Sequence, residues 1–168
     1  MKNRILTMLG IACLPVVALA APDFSGSWVR DNAKSDKDVY PLYWLTRGVD
    51  AGGGGGQGNA DYIISVRQDT KMVQVTDPQR PLRTYALDGK PHTVPTDTGI
   101  AKATITAALQ GEKLVIDTVQ PYGGMPGNAT MKVNEAWSLS PDGKVLTITT
   151  TRDVPATKQT LKAIFGKK

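Results

Sequence analysis

The sequence has very few of the side chains on which metal, redox and nucleophilic chemistry depend. It contains one cysteine, Cys13, and one histidine, His92, among 168 residues. A zinc site needs several such ligands and a disulfide needs two thiols, so the composition indicates neither a metal site nor a cross-link. A Ser-His-Asp triad would have to use His92, and no Gly-x-Ser-x-Gly elbow accompanies it. We therefore expect no enzyme activity and no cofactor.

Two short motifs also fall short of predicting chemistry. Asp97-Thr98-Gly99 matches the aspartic-protease triplet, but Pro95-Thr96 precedes it where that enzyme class needs apolar residues. The glycine run at residues 52–58 lacks the Gly-Lys-Ser/Thr ending of a phosphate-binding loop. An enzyme is therefore the third hypothesis, behind the two binding modules described below.

The charge is mildly basic and lacks a pattern that favours a polyanionic partner. The formal net charge is +5, and the basic residues are scattered except near the end of the chain, at Lys162, Lys167 and Lys168. Nucleic-acid binding needs a clustered basic stripe, with interleaved aromatic residues when the target is single-stranded. We expect no nucleic-acid partner.

The first twenty residues have the pattern of an export signal. Lys2 and Arg4 precede a mostly apolar run, and Ala18-Leu19-Ala20 has the small-x-small shape that a signal peptidase recognises. The run is too short to span a membrane as a mature helix. We expect residues 1–20 to be a signal peptide, and residues 21–168 to form one exported domain, in a periplasm or outside the cell, with no integral membrane segment.

The single cysteine raises an alternative, a lipoprotein signal. Such a signal would place Cys13 at its cleavage site, after a larger aliphatic residue than Gly10 and before a polar mature start. Instead, an apolar run from Leu14 to Ala20 follows Cys13. The sequence therefore favours ordinary cleavage after Ala20 or Ala21, which leaves a mature chain without a thiol.

The rest of the chain alternates short β-type runs with turn residues. Runs rich in Val, Ile and Thr are separated by pairs such as Asp88-Gly89, Gln110-Gly111 and Asp142-Gly143, which are typical of tight hairpins because glycine adopts positive φ easily. The pattern predicts about nine strands, and the segment from His92 to Pro95 is a candidate for a tenth. The predicted strands are 25–30, 62–67, 72–76, 82–87, 100–109, 113–119, 130–139, 145–152 and 159–165.

A long antiparallel meander without helical cover must protect its edge strands. Closing the sheet into a barrel removes those edges. The short local links favour an all-β, up-and-down barrel of about 8–10 strands. A sandwich, which needs crossing connections, is the alternative.

Two segments carry a resemblance to a known family. The first is Asp23-Phe24-Ser25-Gly26-Ser27-Trp28, with a following Ala33-Lys34-Ser35. The second is the run Glu-Ala-Trp-Ser-Leu-Ser-Pro-Asp-Gly-Lys-Val-Leu-Thr at 135–147. Together they resemble bacterial exported lipocalin-like (calycin-type) β-barrel proteins. The resemblance implies that Trp28 lies at the closed end of the barrel and that Arg152 packs over its ring as a cation.

The resemblance also implies that the long link at residues 31–60 folds over the barrel mouth. This glycine-rich segment contains Tyr43 and Trp44. It is either a lid whose aromatic side chains face a ligand, or a plug that caps the core and binds nothing. With nine strands, the link shares its end with the short turns, which conflicts with a lipocalin-like mouth. The barrel then opens at the other end, or the strand count is wrong by one.

We expect a protein that binds a small apolar or amphipathic ligand inside the barrel. The alternative is a filled barrel that acts as an envelope interaction or structural module. Period-2 alternation predicts an inward face, and a shift of one residue in register would reverse it. The predicted inward residues are Ile64, Val66, Val73, Val75, Ile105, Val115, Trp137, Leu146 and Ile148. The predicted ligand contacts are Tyr43, Trp44, Tyr122, Trp137, Ile105 and Val115. The sequence gives no indication of the oligomeric state.

Overall fold

The computed structural model describes residues 21–36, 62–77, 80–95, 101–122, 129–155 and 157–168. The predicted signal peptide lies outside the described residues, and so do Asp97 and most of the predicted lid, including Tyr43 and Trp44. No helix in the described ranges has the length and hydrophobicity that a membrane crossing requires.

The described residues form ten antiparallel strands and no helix. The sheet order is β4-β3-β2-β1-β10-β9-β8-β7-β6-β5. Strands that pair in the sheet are therefore consecutive in sequence, except that β1, the first strand, pairs with β10, the last. This confirms the predicted all-β antiparallel meander. The strands are β1 (Gly26–Arg30), β2 (Ile63–Gln68), β3 (Met72–Asp77), β4 (Arg80–Ala86), β5 (His92–Pro95), β6 (Lys102–Gln110), β7 (Lys113–Pro121), β8 (Thr130–Leu139), β9 (Val145–Val154) and β10 (Thr157–Lys167).

The sheet curls on itself without full closure by hydrogen bonds. Pairing of β1 with β10, which places Trp28 opposite Lys167, joins the two halves of the meander. The two remaining edges are β4 and β5, and β4 lies against β6 across the gap. One continuous sheet excludes the sandwich alternative, and the open seam between β4 and β5 is a feature that the sequence did not reveal.

The segment His92–Pro95 forms a strand, β5, and this additional strand decides at which end of the barrel each link lies. Because successive strands are antiparallel, the links after β1, β3, β5, β7 and β9 all leave from one end, which we call the loop end. The short turns after the even strands lie at the other end, the turn end. The nine-strand count is therefore wrong by one, and the long link after β1 shares the loop end with the other longer links.

Glycines at three of the predicted hairpins have the left-handed backbone expected of them. Gly89, Gly111 and Gly143 have φ values of 67°, 59° and 67°. In two of these turns an aspartate side chain accepts a backbone N–H, from Lys90 to Asp88 at 2.9 Å and from Lys144 to Asp142 at 3.1 Å. These local bonds are of the kind that fix hairpin register.

Aromatic side chains fill the turn end of the curled sheet. Phe24, Trp28, Trp137 and Phe165 are all fully buried, and we call them the tryptophan core. The Phe24 and Trp137 rings meet edge to face with centroids 6.2 Å apart, and Trp28 Nε1 donates a hydrogen bond of 2.9 Å to the Phe24 carbonyl. Burial of such side chains stabilises the fold by roughly 1.5–3 kcal/mol each.

The cation over Trp28 is Lys167, not Arg152 as predicted. Lys167 Nζ lies 5.2 Å from the centroid of the Trp28 ring. Arg152 is opposite Gln159 in the register of β9 and β10, roughly 26 Å along the strand from Lys167. Its Nε donates to Met131 Sδ at 3.4 Å near the loop end. The prediction failed because Arg152 lies at the far end of its strand from Trp28, whereas Lys167 is the register partner of Trp28.

Candidate functional site: a seam cleft and an interior polar layer

A cleft of about 190 Å³ lies at the seam between β4 and the β5–β6 pair. We call it the seam cleft. Its buried wall is formed by Tyr85 and Ala107, with half-buried Ile105 beside them. Thr84, Ala86, His92 and Val94 complete the lining. The cleft is mainly apolar, and its lining includes the exposed Thr84 and His92 as well as the buried Tyr85 and Ala107.

The rim of the seam cleft carries a short polar contact. His92 Nε2 lies 3.0 Å and 3.1 Å from the two carboxylate oxygens of Asp88, and both side chains are exposed. The pKa of Asp88 is lowered, first by the backbone N–H of Lys90 and second by the hydrogen bond with His92. Because the pair is exposed to water, it contributes little to stability, and its relevance is its position at the cleft entrance.

The strand register leads from the seam cleft to a buried acid. Ala107 of β6 is opposite Ile116 of β7, Ile116 is opposite Glu135 of β8, and Glu135 is opposite Thr150 of β9. Directly opposite residues on neighbouring strands share a face of the sheet. Since Ala107, Ile116, Glu135 and Thr150 are all buried, this row lies on the inner face.

Glu135 is fully buried, and its chemistry differs from that of an ordinary surface acid. Its Oε2 accepts a hydrogen bond of 3.1 Å from Trp137 Nε1. Burial raises the pKa of Glu135 to about 8, although the Trp137 hydrogen bond and the positive charge of Arg83 act in the opposite direction. Glu135 therefore holds its proton in most molecules at neutral pH.

Three buried side-chain oxygens, one on Glu135 itself and two on nearby threonines, lack hydrogen-bond partners within the described part of the chain. They are Glu135 Oε1, Thr118 Oγ1 and Thr150 Oγ1. Thr118 is 1% exposed and so is Thr150, while Glu135 is 0% exposed. We call these three residues the polar layer. An unpaired buried polar atom costs about 1–3 kcal/mol, so a cluster of three is more consistent with recognition than with stability.

The structure separates the predicted ligand contacts into different environments. Ile105 lines the seam cleft. Trp137 is buried in the tryptophan core and donates to Glu135. Tyr122 is half-buried at the loop end against a small cluster of Met131, Val133 and Val154. The described residues therefore do not bring Ile105, Trp137 and Tyr122 together into one site.

Val115 faces the opposite side of the sheet from the predicted one. Its neighbours Leu114 and Ile116 are buried, with exposures of 0% and 1%, whereas Val115 is only half-buried. A shift of one residue in register reverses the face of every side chain in a strand. The inward assignment of Val115 was wrong for this reason. On β2, β3 and β9, Ile64, Val66, Val73, Val75, Leu146 and Ile148 are buried as the alternation predicted.

Sequence reasoning missed the polar layer and Tyr85. The signal was present in β8, where alternation places Glu135 on the same face as Trp137, which was predicted to face inward, and the apolar Val133. An acid on the buried face of a strand is an informative exception. No cluster of metal-binding side chains occurs among the residues with described positions.

Similarity to known proteins lies in the three-dimensional structure rather than the sequence. No protein-family model matches the chain, and no curated protein sequence matches it. A zebrafish ileal bile acid-binding protein, solved in complex with cholic acid, is similar over 86% of this chain and 98% of its own, with a TM-score of 0.53 and 17% identity. The fold is lipocalin-like.

Two further structures extend this comparison. A secretory abundant heat soluble (SAHS) protein from Ramazzottius varieornatus matches over 89% of this chain and 98% of its own, with a TM-score of 0.55 and 14% identity. Fatty-acid-binding protein 1 from Echinococcus granulosus covers 86% of this chain and 96% of its own, at a TM-score of 0.46 and 10% identity. At these identities the first two likenesses establish the fold and not the function.

Proposed function

We propose that this protein binds a small apolar or amphipathic ligand, with no catalytic role, and that the ligand enters through the seam cleft. The observation that carries the proposal is the cleft itself, an apolar opening between two unpaired strand edges. Its wall of Tyr85, Ile105 and Ala107 offers the surface for the apolar part of the ligand. Removing such surface from water contributes about 25 cal/mol per Å².

The size of the cleft limits how a ligand is held. At about 190 Å³ it is smaller than the roughly 300–1,000 Å³ of ordinary small-molecule sites. A ligand of ordinary size would therefore place one portion in the cleft and extend the rest along the inner face or over the rim. The zebrafish ileal bile acid-binding protein, solved in complex with cholic acid, gives a precedent on the same fold for an amphipathic ligand.

A calorimetric titration with 1-decanol tests the proposal. Ile105→Trp fills the cleft from its wall and is expected to weaken decanol binding at least about tenfold. Val115→Trp is the matched control, because Val115 lies on the adjacent strand and faces the outer side of the sheet. Equal affinities in the two variants, or no binding to the unaltered protein, would contradict entry through the seam.

A second candidate function is a filled barrel that stabilises or contacts other components. The packing of the tryptophan core favours it, because four fully buried aromatic side chains occupy the turn end. The secretory abundant heat soluble (SAHS) protein shares the fold, and its name refers to solubility rather than to a bound ligand. Failure to bind any member of a broad panel of apolar and amphipathic compounds would favour this candidate.

We also propose, from the pattern of residues 1–20 alone, that the protein is exported to a periplasm or beyond the cell. N-terminal sequencing of the protein recovered from its producing cells tests this. A mature start at Ala21 or Pro22 is expected, and an intact Met1 would contradict export.

A further inference from the structure

We infer that the polar group of the ligand is an uncharged hydroxyl, which exchanges hydrogen bonds with the polar layer of Thr118, Glu135 and Thr150. The inference rests on the proposed ligand-binding function and adds the chemical class of the group that is recognised. It assigns a specificity-determining role to three side chains that the tryptophan core does not explain.

The polar layer is a compact cluster on three adjacent strands. Glu135 is directly opposite Thr150, so their Cβ atoms lie about 4.5–5.5 Å apart. Thr118 is opposite Val133, two residues from Glu135, which makes it a diagonal neighbour at about 7–8 Å. Each of the three side chains is buried to more than nine-tenths and has an oxygen without a partner in the described structure.

The seam cleft lies close enough for one ligand to reach both features. Ile105, in the cleft wall, is directly opposite Thr118, and Ala107 is separated from Glu135 only by Ile116. With strands about 4.8 Å apart, the distance from Ala107 to Glu135 across the sheet is about 10 Å. A ligand chain that starts in the cleft would have to extend over about this distance, past the buried Ile116, for its end group to meet the polar layer.

Hydrogen-bond capacity favours a hydroxyl over charged alternatives. A threonine hydroxyl both donates and accepts, and a carboxyl oxygen accepts, so one ligand hydroxyl can donate to Glu135 and accept from a threonine. Burial keeps the Glu135 carboxyl protonated despite the positive charge of Arg83, and an ionised ligand carboxylate would meet the same desolvation cost at this site. An ammonium only donates, and the positive charge of Arg83, which acts on Glu135, opposes it.

Three decyl compounds with different end groups test this directly: 1-decanol, decanoate and decylammonium. Their dissociation constants for the full mature protein are measured by calorimetry at pH 7. Decanol is expected to bind at least about tenfold more tightly than either charged compound, since a mismatched buried polar group typically costs that much or more.

Two pairs of variants assign the selectivity to the polar layer. Thr150→Val removes the inward hydroxyl and is expected to weaken decanol binding about tenfold, whereas Thr149→Val, its outward neighbour on β9, leaves binding unchanged. Glu135→Gln keeps a donor and an acceptor in place of the protonated carboxyl, so decanol is expected to bind it within about threefold of the unaltered protein. Asp117→Asn removes an exposed acid on the outer face as the control.

The outcomes separate this inference from the proposed function. Decanoate or decylammonium binding as tightly as decanol overturns the inference but leaves ligand binding intact, and so does Thr150→Val binding decanol like the unaltered protein. Thr118→Val repeats the measurement from the neighbouring strand if Thr150→Val does not fold. If none of the three compounds binds, the proposed function fails and the inference fails with it.

Discussion

The tryptophan core and the polar layer are built by the same strands and have opposite energetics. On β8, Trp137 and Glu135 are two residues apart on one face, and both are fully buried. Trp137 packs against Phe24 and satisfies its indole N–H, whereas Glu135 has one oxygen without a partner among the described groups. Burial therefore stabilises the fold at one inward position of β8, Trp137, and opposes it at the next inward position, Glu135.

This contrast indicates that the tryptophan core and the polar layer have different roles in the sheet. Aromatic burial at the turn end stabilises the fold, and the unpaired oxygens of the polar layer oppose it by about 1–3 kcal/mol each. Local rules are commonly broken where a protein binds something, with compensation elsewhere. The seam cleft lies beside the polar layer, which is consistent with these different roles.

The largest expected effect is on the tryptophan core. Trp28→Ala removes a fully buried side chain and the donor to the Phe24 carbonyl. It is expected to lower the free energy of unfolding by about 3–5 kcal/mol in urea titrations followed by circular dichroism. Val145→Ala, at a position 37% exposed, is the control and should change it by less than about 0.5 kcal/mol. A loss below about 1 kcal/mol for Trp28→Ala would contradict a packed core.

A smaller effect, dependent on pH, is expected at the polar layer. Folding raises the pKa of Glu135 from 4.5 to about 8, so the folded chain holds a proton that the unfolded chain releases above pH 4.5. The preference of the folded state for this proton adds to the free energy of unfolding. That added stability is fully present below pH 4.5 and is lost as pH rises through about 8. Between pH 5 and pH 8 the loss is roughly 2–4 kcal/mol.

Glu135→Gln should remove most of that slope, because glutamine carries no proton to release. Urea titrations from pH 5 to pH 9 measure it, with Asp117→Asn as the control that keeps the slope of the unaltered protein. The charged group that acts on Glu135 is Arg83, and Trp137 is its hydrogen-bond donor. A Glu135→Gln protein with an unchanged slope would show that another group titrates.

The smallest effect is expected at the rim of the tryptophan core. Lys167→Gln removes the cation over the Trp28 ring, and an exposed contact of this kind is worth about 0.5–1 kcal/mol. Thermal unfolding should show a small decrease in Tm. Lys168→Gln, next in the chain, should show none, and equal shifts in the two variants would argue for a general charge effect.

The sequence predicted the features that depend on local alternation and turn chemistry. Period-2 patterns gave most strands and the inward face of β2, β3 and β9, and Asp-Gly and Gln-Gly pairs gave the hairpins. The short β5 was harder to assign because His92 and Pro95 weaken the strand pattern. Its omission changed the end of the barrel to which each later link belongs.

Features that depend on contacts distant in sequence were not predictable. The position of Arg152 depends on the register between β9 and β10, and Val115 was placed on the wrong face through a one-residue shift. The seam between β4 and β5 is set by how far the sheet curls, which no local pattern encodes. Tyr43 and Trp44 remain predicted ligand contacts outside the described residues, and Tyr122 remains one at the loop end.

The most direct test compares the two buried tryptophans by NMR during a decanol titration. Indole N–H signals are assigned with Trp→Phe variants, and their shifts are followed to saturation. Recognition at the polar layer predicts a clear shift for Trp137, whose Nε1 donates to Glu135, and almost none for Trp28, whose Nε1 donates to the Phe24 carbonyl. Equal shifts at both signals, or a shift at Trp28 alone, would contradict recognition at the polar layer.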